Sequence, residues 1–192
     1  MNGLYLKGIR GGNYQPGREQ YLQKVKFTTF DSYIQVFIKN QEIYTLDRVV
    51  TNHYNGYNGG ILSEGKYGFI CASGMSMPFP QPKVLYLYDI QYYGKITNIN
   101  QLTESMTRLT SLVPNPNHNG EPIVDFILIH VDNYSGQGGW SDGCNTFQGS
   151  SKDDGKNDIR DEFYSHFDFN DTGIYELVRD KNFISPAFYE GK

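Results

Sequence analysis

Short runs of β-branched and aromatic residues recur along the chain between clusters of Gly, Asn and Pro, a pattern that predicts strands and turns more than helices. Residues 24–30 and 33–38 read as strands; Lys39-Asn40-Gln41 turns the chain and 42–46 returns it as the second arm of a hairpin. Another strand follows the Ser63-Glu64-Gly65 turn over 66–71, and a further one covers 83–88. Between 99 and 113 the apolar residues Ile99, Leu102, Met106, Leu109 and Val113 recur at helical steps, which predicts a helix capped by Asn98 and ended by Pro114 and Pro116. Residues 123–131 are almost continuously apolar, as in a deeply buried strand, and His130 lies near the end of that run. Ile159, Phe163 and Phe167 share one face of a helix expected over 157–167, and 174–178 reads as a short helix or strand.

The segments between these runs are polar or broken. Gly11-Gly12-Asn13 and Pro16-Gly17 mark the first 20 residues as a turn-rich, extended lead-in. Residues 52–60 are loop by composition and bring His53 to the surface, and three prolines keep 74–82 irregular. The organisation expected is an N-terminal lead-in over 1–23, a β-rich domain of catalytic type over 24–148, and a C-terminal helical extension over 149–192 packed on that domain. The fold class that follows is α+β and β-rich: a small sheet or barrel with one or two helices packed on it.

Composition sharpens this picture. With 192 residues the chain is of single-domain length, and its 16 Tyr, 12 Phe and 21 Gly favour strands and tight turns. A net charge of -4 with scattered basic residues leaves no electrostatic footprint for nucleic acid or for an anionic membrane surface. No stretch reaches membrane-spanning length, so membrane insertion is not expected, and the N-terminus lacks the apolar core of a secretory signal. Localisation and oligomeric state stay open. Cys71 and Cys144 are too few for a disulfide scaffold, although a single bridge between them is not decided by sequence.

Cys144 carries the chemistry. A cysteine attacks as its thiolate and needs a neighbour that takes its proton, most often histidine. His130 is fixed by the end of a buried strand, and Cys144 follows Gly143, where the missing side chain lets a substrate carbonyl approach. Backbone N–H groups of Gly143 and Cys144 are then placed to hold an oxyanion. Ser141 is a candidate to orient the loop, and Trp140, Tyr134, Asn133 and His53 are candidates to line the substrate groove. Cys71, inside a predicted strand, reads as a core residue. The spacings of His53, His118, His130 and Cys144 fit no compact zinc pattern. Residues 168–173 break a calcium-loop pattern at Thr172 and Arg179.

A histidine closing an apolar strand, a variable loop and then Ser141-Asp142-Gly143-Cys144 is similar to the signature of YkuD-like L,D-transpeptidases. The segment Leu62-Ser63-Glu64-Gly65-Lys66-Tyr67 resembles that family's Pro-x-Gly-x-Tyr stretch. The wider order, Tyr44-Thr45-Leu46-Asp47, then Gly-x-Tyr, then Ile129-His130 with Asn133, then Gly143-Cys144, resembles a related uncharacterised bacterial and phage group, and the matches span roughly residues 25–147. The resemblance implies a cell-wall-directed transpeptidase or L,D-carboxypeptidase acting on peptidoglycan stem peptides. Cys144 would be the nucleophile, His130 the base, Gly143 and Cys144 the oxyanion donors, and no metal or organic cofactor would be needed.

Three positions depart from the family pattern, which has His at 142, an apolar residue at 145, and Arg or Asn at 146, where this chain has Asp142, Asn145 and Thr146. An inward-pointing Asp142 carboxylate would oppose the thiolate. Two rival readings follow: a catalytically idle domain of the same fold that binds glycan or peptide as a phage or secretion-machine component, and a cysteine amidase acting on another small amide.

Overall fold

In the computed structural model the described residues are 3–11, 28–29, 32–51, 60–74, 83–132, 144–148, 158–180, 182 and 188–189. Their strands are β1 (Leu4–Gly11), β2 (Thr28–Thr29), β3 (Ser32–Ile38), β4 (Gln41–Val50), β5 (Gly65–Ala72), β6 (Val84–Tyr88), β7 (Leu109–Thr110), β8 (Ile123–Val124), β9 (Leu128–Asp132), β10 (Asn145–Gln148), β11 (Thr172–Asp180) and β12 (Phe188–Tyr189). Two α-helices accompany them, α1 (Ile90–Tyr93) and α2 (Asp158–Ser165). The fold is β-rich α+β.

Eight strands close into a barrel in the order β1, β11, β5, β6, β9, β10, β4, β3 and back to β1. The β1–β11 and β9–β10 pairs are parallel and the rest antiparallel. Period-two alternation divides the side chains between two faces. Leu4, Leu6, Ile34, Val36, Phe69, Cys71, Leu85, Leu87, Ile129, Phe147, Tyr175 and Leu177 form the main core cluster inside the barrel. Their neighbours Ile70, Ala72, Val84, Tyr86, Tyr88 and Leu128 form a second cluster on the outer face, covered by Ile96, Ile99, Leu102 and Met106.

The two mouths of the barrel are closed by different chemistry. At one, α2 and the residues after it place Phe163, Tyr164 and Phe167 in the core, edge-on to Phe147 and Phe69. Lys83 at the start of β6 donates to the carbonyls of Phe167 and Tyr164, holding the helix end on the barrel. The other mouth is ionic. Arg10 is 0% exposed and donates from Nε to Thr51 Oγ1 at 2.9 Å, from Nη2 to the Leu62 carbonyl at 2.8 Å, and from Nη1 to Glu64 Oε1 at 2.7 Å. Arg179 Nη2 reaches the same Glu64 oxygen at 2.8 Å, and Ser32 shares a 2.8 Å hydrogen bond with Thr51.

The hairpin expected over 33–46 is present as β3–β4, and Lys39 and Asn40 both take positive φ (51° and 65°), the paired left-handed geometry of a tight hairpin turn. The strands expected over 66–71 and 83–88 are β5 and β6. Other expectations need correction. The stretch expected as a lead-in carries β1, a stave paired along both edges, because its Leu4 and Leu6 enter the interior and Gly8 makes room there for Tyr175. The C-terminal stretch likewise supplies a stave, β11, besides a helix.

The helix over 99–113 does not form. Asn98 does cap a turn, through a capping box with Gln101, but the turn is 3-10 (Ile99–Gln101), and after a break at Thr103 a second 3-10 turn spans Glu104–Thr107. The cause is a divided allegiance. Ile99, Leu102 and Met106 pack on the outer cluster, whereas Leu109 belongs to the inner one and pairs in β7, so no single helical face serves them all.

Nor is 123–131 continuous: β8 pairs with β7, and the chain breaks at Asp125, Phe126 and Ile127 before β9 begins. Of the first predicted strand, only 28–29 lie among the described residues and are extended, pairing with β12.

Candidate functional site

The break between β8 and β9 and the start of β10 come together at one place on the barrel wall. Asn145 stands opposite Ile129 and Thr146 opposite His130 in parallel register, so Cys144 is level with Leu128. The backbone N–H of Leu128 donates to Cys144 Sγ at 3.3 Å, and the same sulfur lies 3.8 Å from the carbonyl oxygen of Phe126. The Ile127 carbonyl bonds to Leu87 of β6, so by strand alternation the Leu128 N–H points to the β10 side, where Cys144 stands. An N–H donor is better satisfied by a thiolate than by a thiol.

His130 follows from the same alternation. Ile129 faces the core, so Leu128 and His130 face outward, the side on which Cys144 packs against the outer cluster. His130 is buried and Cys144 half-buried. The pair occupies one face of two neighbouring strands, offset by two residues, or about 7 Å along the strand direction. Tyr164 donates to the Ile129 carbonyl at 2.9 Å, which pins the β9 backbone from the helix side.

Asn145 departs from the transpeptidase pattern, and its position accounts for its polarity. It points into the barrel, is fully buried, and donates from Nδ2 to Tyr175 Oη at 3.2 Å. The residue after the thiol is therefore anchored to a stave on another side of the lumen, which fixes the backbone of Cys144 from behind. Tyr175 has room for its hydroxyl because Gly8 lies beneath it: a Cβ at Gly8 would fall 2.3 Å from that oxygen.

Cys71 behaves as the core residue expected. It lies inside the barrel, forms no disulfide with Cys144 on the outer face, and burial pushes its thiol up to about 12. The candidate site residues Gly143, Ser141, Trp140, Tyr134, Asn133 and His53 lie outside the described residues, as does Asp142. His118 pairs its Nε2 with Asp125 at 3.1 Å next to the strand break. Among the described residues no group of three or more His, Cys, Asp or Glu side chains converges to hold a metal ion, and no helix is long and apolar enough to cross a membrane.

Two features have no sequence signature. Phe126 lies in a run interrupted only by Asp125, which does not mark it as the residue of positive φ, and Arg10 and Arg179 occupy inward positions in strands where apolar residues are the rule. The charge of the ionic mouth is shared asymmetrically. Burial alone would raise the pKa of Glu64, but the hydrogen bond from Arg179 and the charge of Arg10 outweigh it and hold the carboxyl below its ordinary value. The ionic mouth adjoins the thiol: β4 reaches Val50 opposite Thr146, so Thr51, which binds Arg10, is next to Asn145.

Compared with protein-family models, with characterised proteins and with solved structures, the chain has no significant match in any of the three.

Proposed function

We propose that this chain is a cysteine acyl-transfer enzyme acting on an amide bond, with Cys144 as nucleophile, His130 as its base and a peptidoglycan stem peptide as substrate. One observation carries the reading: a half-buried thiol at a barrel rim, held by a backbone N–H at 3.3 Å, on the same face of neighbouring strands as a buried histidine. The cell-wall substrate rests on the resemblance to YkuD-like transpeptidases alone.

In the reaction, His130 takes the Cys144 proton and the sulfur attacks the amide carbon, forming a C–S bond. The C–N bond then breaks and the amine leaves with the proton returned by His130. An acceptor amine or water attacks the thioester, its proton passing to His130, and the thiolate is released. An amine acceptor gives transpeptidation and water gives carboxypeptidase action. Gly143 and Cys144 are the proposed oxyanion donors, with Ser141 orienting the loop.

The test is the pH dependence of iodoacetamide labelling at Cys144 and Cys71, read by peptide mass spectrometry in the wild type and in His130→Ala. Cys144 is expected to label at pH 7 on the order of 10-fold faster in the wild type than in His130→Ala, with the buried Cys71 unlabelled in both as the internal reference. Labelling at neutral pH that is indifferent to His130 would remove the catalytic pair and favour a binding module. If the pair is reactive, release of amino acid from stem peptides, abolished in Cys144→Ala, tests the substrate.

A further inference from the structure

We infer that Asn145 and Tyr175 are positioning residues for the proposed reaction: their hydrogen bond across the lumen sets the Cys144 sulfur against the Leu128 N–H, the donor that favours its thiolate. The inference rests on the reading of Cys144 as the attacking group.

The ladder alone holds this part of the wall weakly. β10 is four residues long, and its register with β4 covers only Thr146 and Phe147. Cys144 comes one residue before the first rung with β9, Asn145 opposite Ile129. Backbone at the end of a short strand opens more readily than backbone within one.

The Asn145 side chain adds a second hold. Fully buried in the lumen, it donates from Nδ2 to Tyr175 Oη at 3.2 Å. β10 and β11 are four staves apart in either direction around the eight-stranded barrel, so this bond spans its full width. Tyr175 is a firm post: it is fully buried, stands opposite Leu6 of β1 and Tyr67 of β5, and its hydroxyl sits over Gly8.

Stability does not account for an asparagine here. Among the described residues its Oδ1, although buried, has no hydrogen-bond partner. A buried acceptor left unpaired costs more than one neutral hydrogen bond contributes, so an apolar side chain of the same size would suit the lumen at least as well. What the polar pair adds is direction. The Leu128 N–H meets Sγ at 3.3 Å, and such a bond weakens steeply once donor and acceptor are misaligned. A shift of the Asn145 backbone displaces the neighbouring sulfur, and its thiolate loses the donor.

The test uses the full chain. Iodoacetamide labelling of Cys144 is timed at pH 7 and at pH 9.5, above the ordinary thiol pKa of about 8.5, and the ratio of the two rates cancels changes in access. It is read in the wild type, Asn145→Leu, Tyr175→Phe and the double variant, which makes both partners apolar. The ratio is expected to fall roughly fivefold in all three variants. A wild-type ratio in any one of them overturns the inference; its return in the double variant would mean that the two polar groups serve only to satisfy each other. Should Asn145→Leu fail to fold, Tyr175→Phe, which loses a single oxygen, carries the test. Repeated in His130→Ala, the same fall is expected, since the Leu128 N–H acts without the histidine, and its absence there also overturns the inference. Labelling indifferent to His130 would remove the proposed base while leaving this test intact, and dependence on His130 with unchanged ratios would remove the positioning pair alone.

Discussion

Two cysteines in one barrel wall have opposite fates because adjacent strand positions face opposite ways. Cys71 looks inward among Phe69, Leu85 and Tyr164, and burial alone is enough to keep it a thiol throughout the physiological range. It is a small hydrophobe by environment, and a hydroxyl in its place has no apolar equivalence. Cys71→Ser is expected to lower stability by about 1–3 kcal/mol, seen as a lower urea midpoint with an unchanged slope, while leaving Cys144 labelling intact. Unaltered stability would mean that the interior offers the hydroxyl a partner. The same inside-outside rule explains why Asn145 is not an apolar residue: its neighbour across the lumen is a tyrosine hydroxyl, and a side chain without a donor would leave that contact unmade.

At the scale of elements, close packing on the outer face is set by glycine. A Cβ at Gly68 would lie 2.1 Å from the Tyr88 ring, whose hydroxyl accepts the Ile96 N–H at 3.3 Å. Gly68→Ala must therefore move the ring and loosen the segment that covers the outer cluster. A loss of about 2 kcal/mol is expected, largely recovered when Tyr88→Leu is added, and additive losses in the double variant would sink this account. What could be read from sequence follows the same physics. The β3–β4 hairpin was legible because alternation and turn residues are local. The 99–113 segment was not, because apolar spacing of three or four is met equally by two 3-10 turns once the residues answer to different clusters. His130 near the end of an apolar strand was legible from residue type, and the parallel register of β10 places Cys144 two residues from its level. The left-handed residue at Phe126 was hidden, since a run interrupted only by Asp125 does not tell which residue takes positive φ.

For the whole molecule, the two closures respond differently to conditions. The mouth around Phe163 and Phe167 is closed by aromatic packing, with Lys83 donating to backbone carbonyls, whereas the other mouth has a carboxylate, Glu64, shared by two guanidiniums. Because the folded pKa of Glu64 is lowered, its contribution is fully present above the unfolded value of about 4.3 and is lost as pH falls through the folded value. Glu64→Gln is expected to cost about 2 kcal/mol at pH 7, since it removes a counter-charge at 2.7 Å from the fully buried Arg10. The difference from wild type in urea midpoint should shrink steadily below pH 4, and a constant difference down to pH 3 would show that the carboxylate charge is not what holds this mouth. The barrel also has an order of assembly written into its seam. β1 is hydrogen-bonded on one side to β3, close in sequence, and on the other to β11, more than 160 positions later. During synthesis the first stave must wait, one edge bare, for the final one to emerge, and until then the interior that β11 fills with Tyr175 and Leu177 stands open to water. Closure through β11 brings in the Tyr175 hydroxyl that Asn145 bonds, and with it the support behind the thiol.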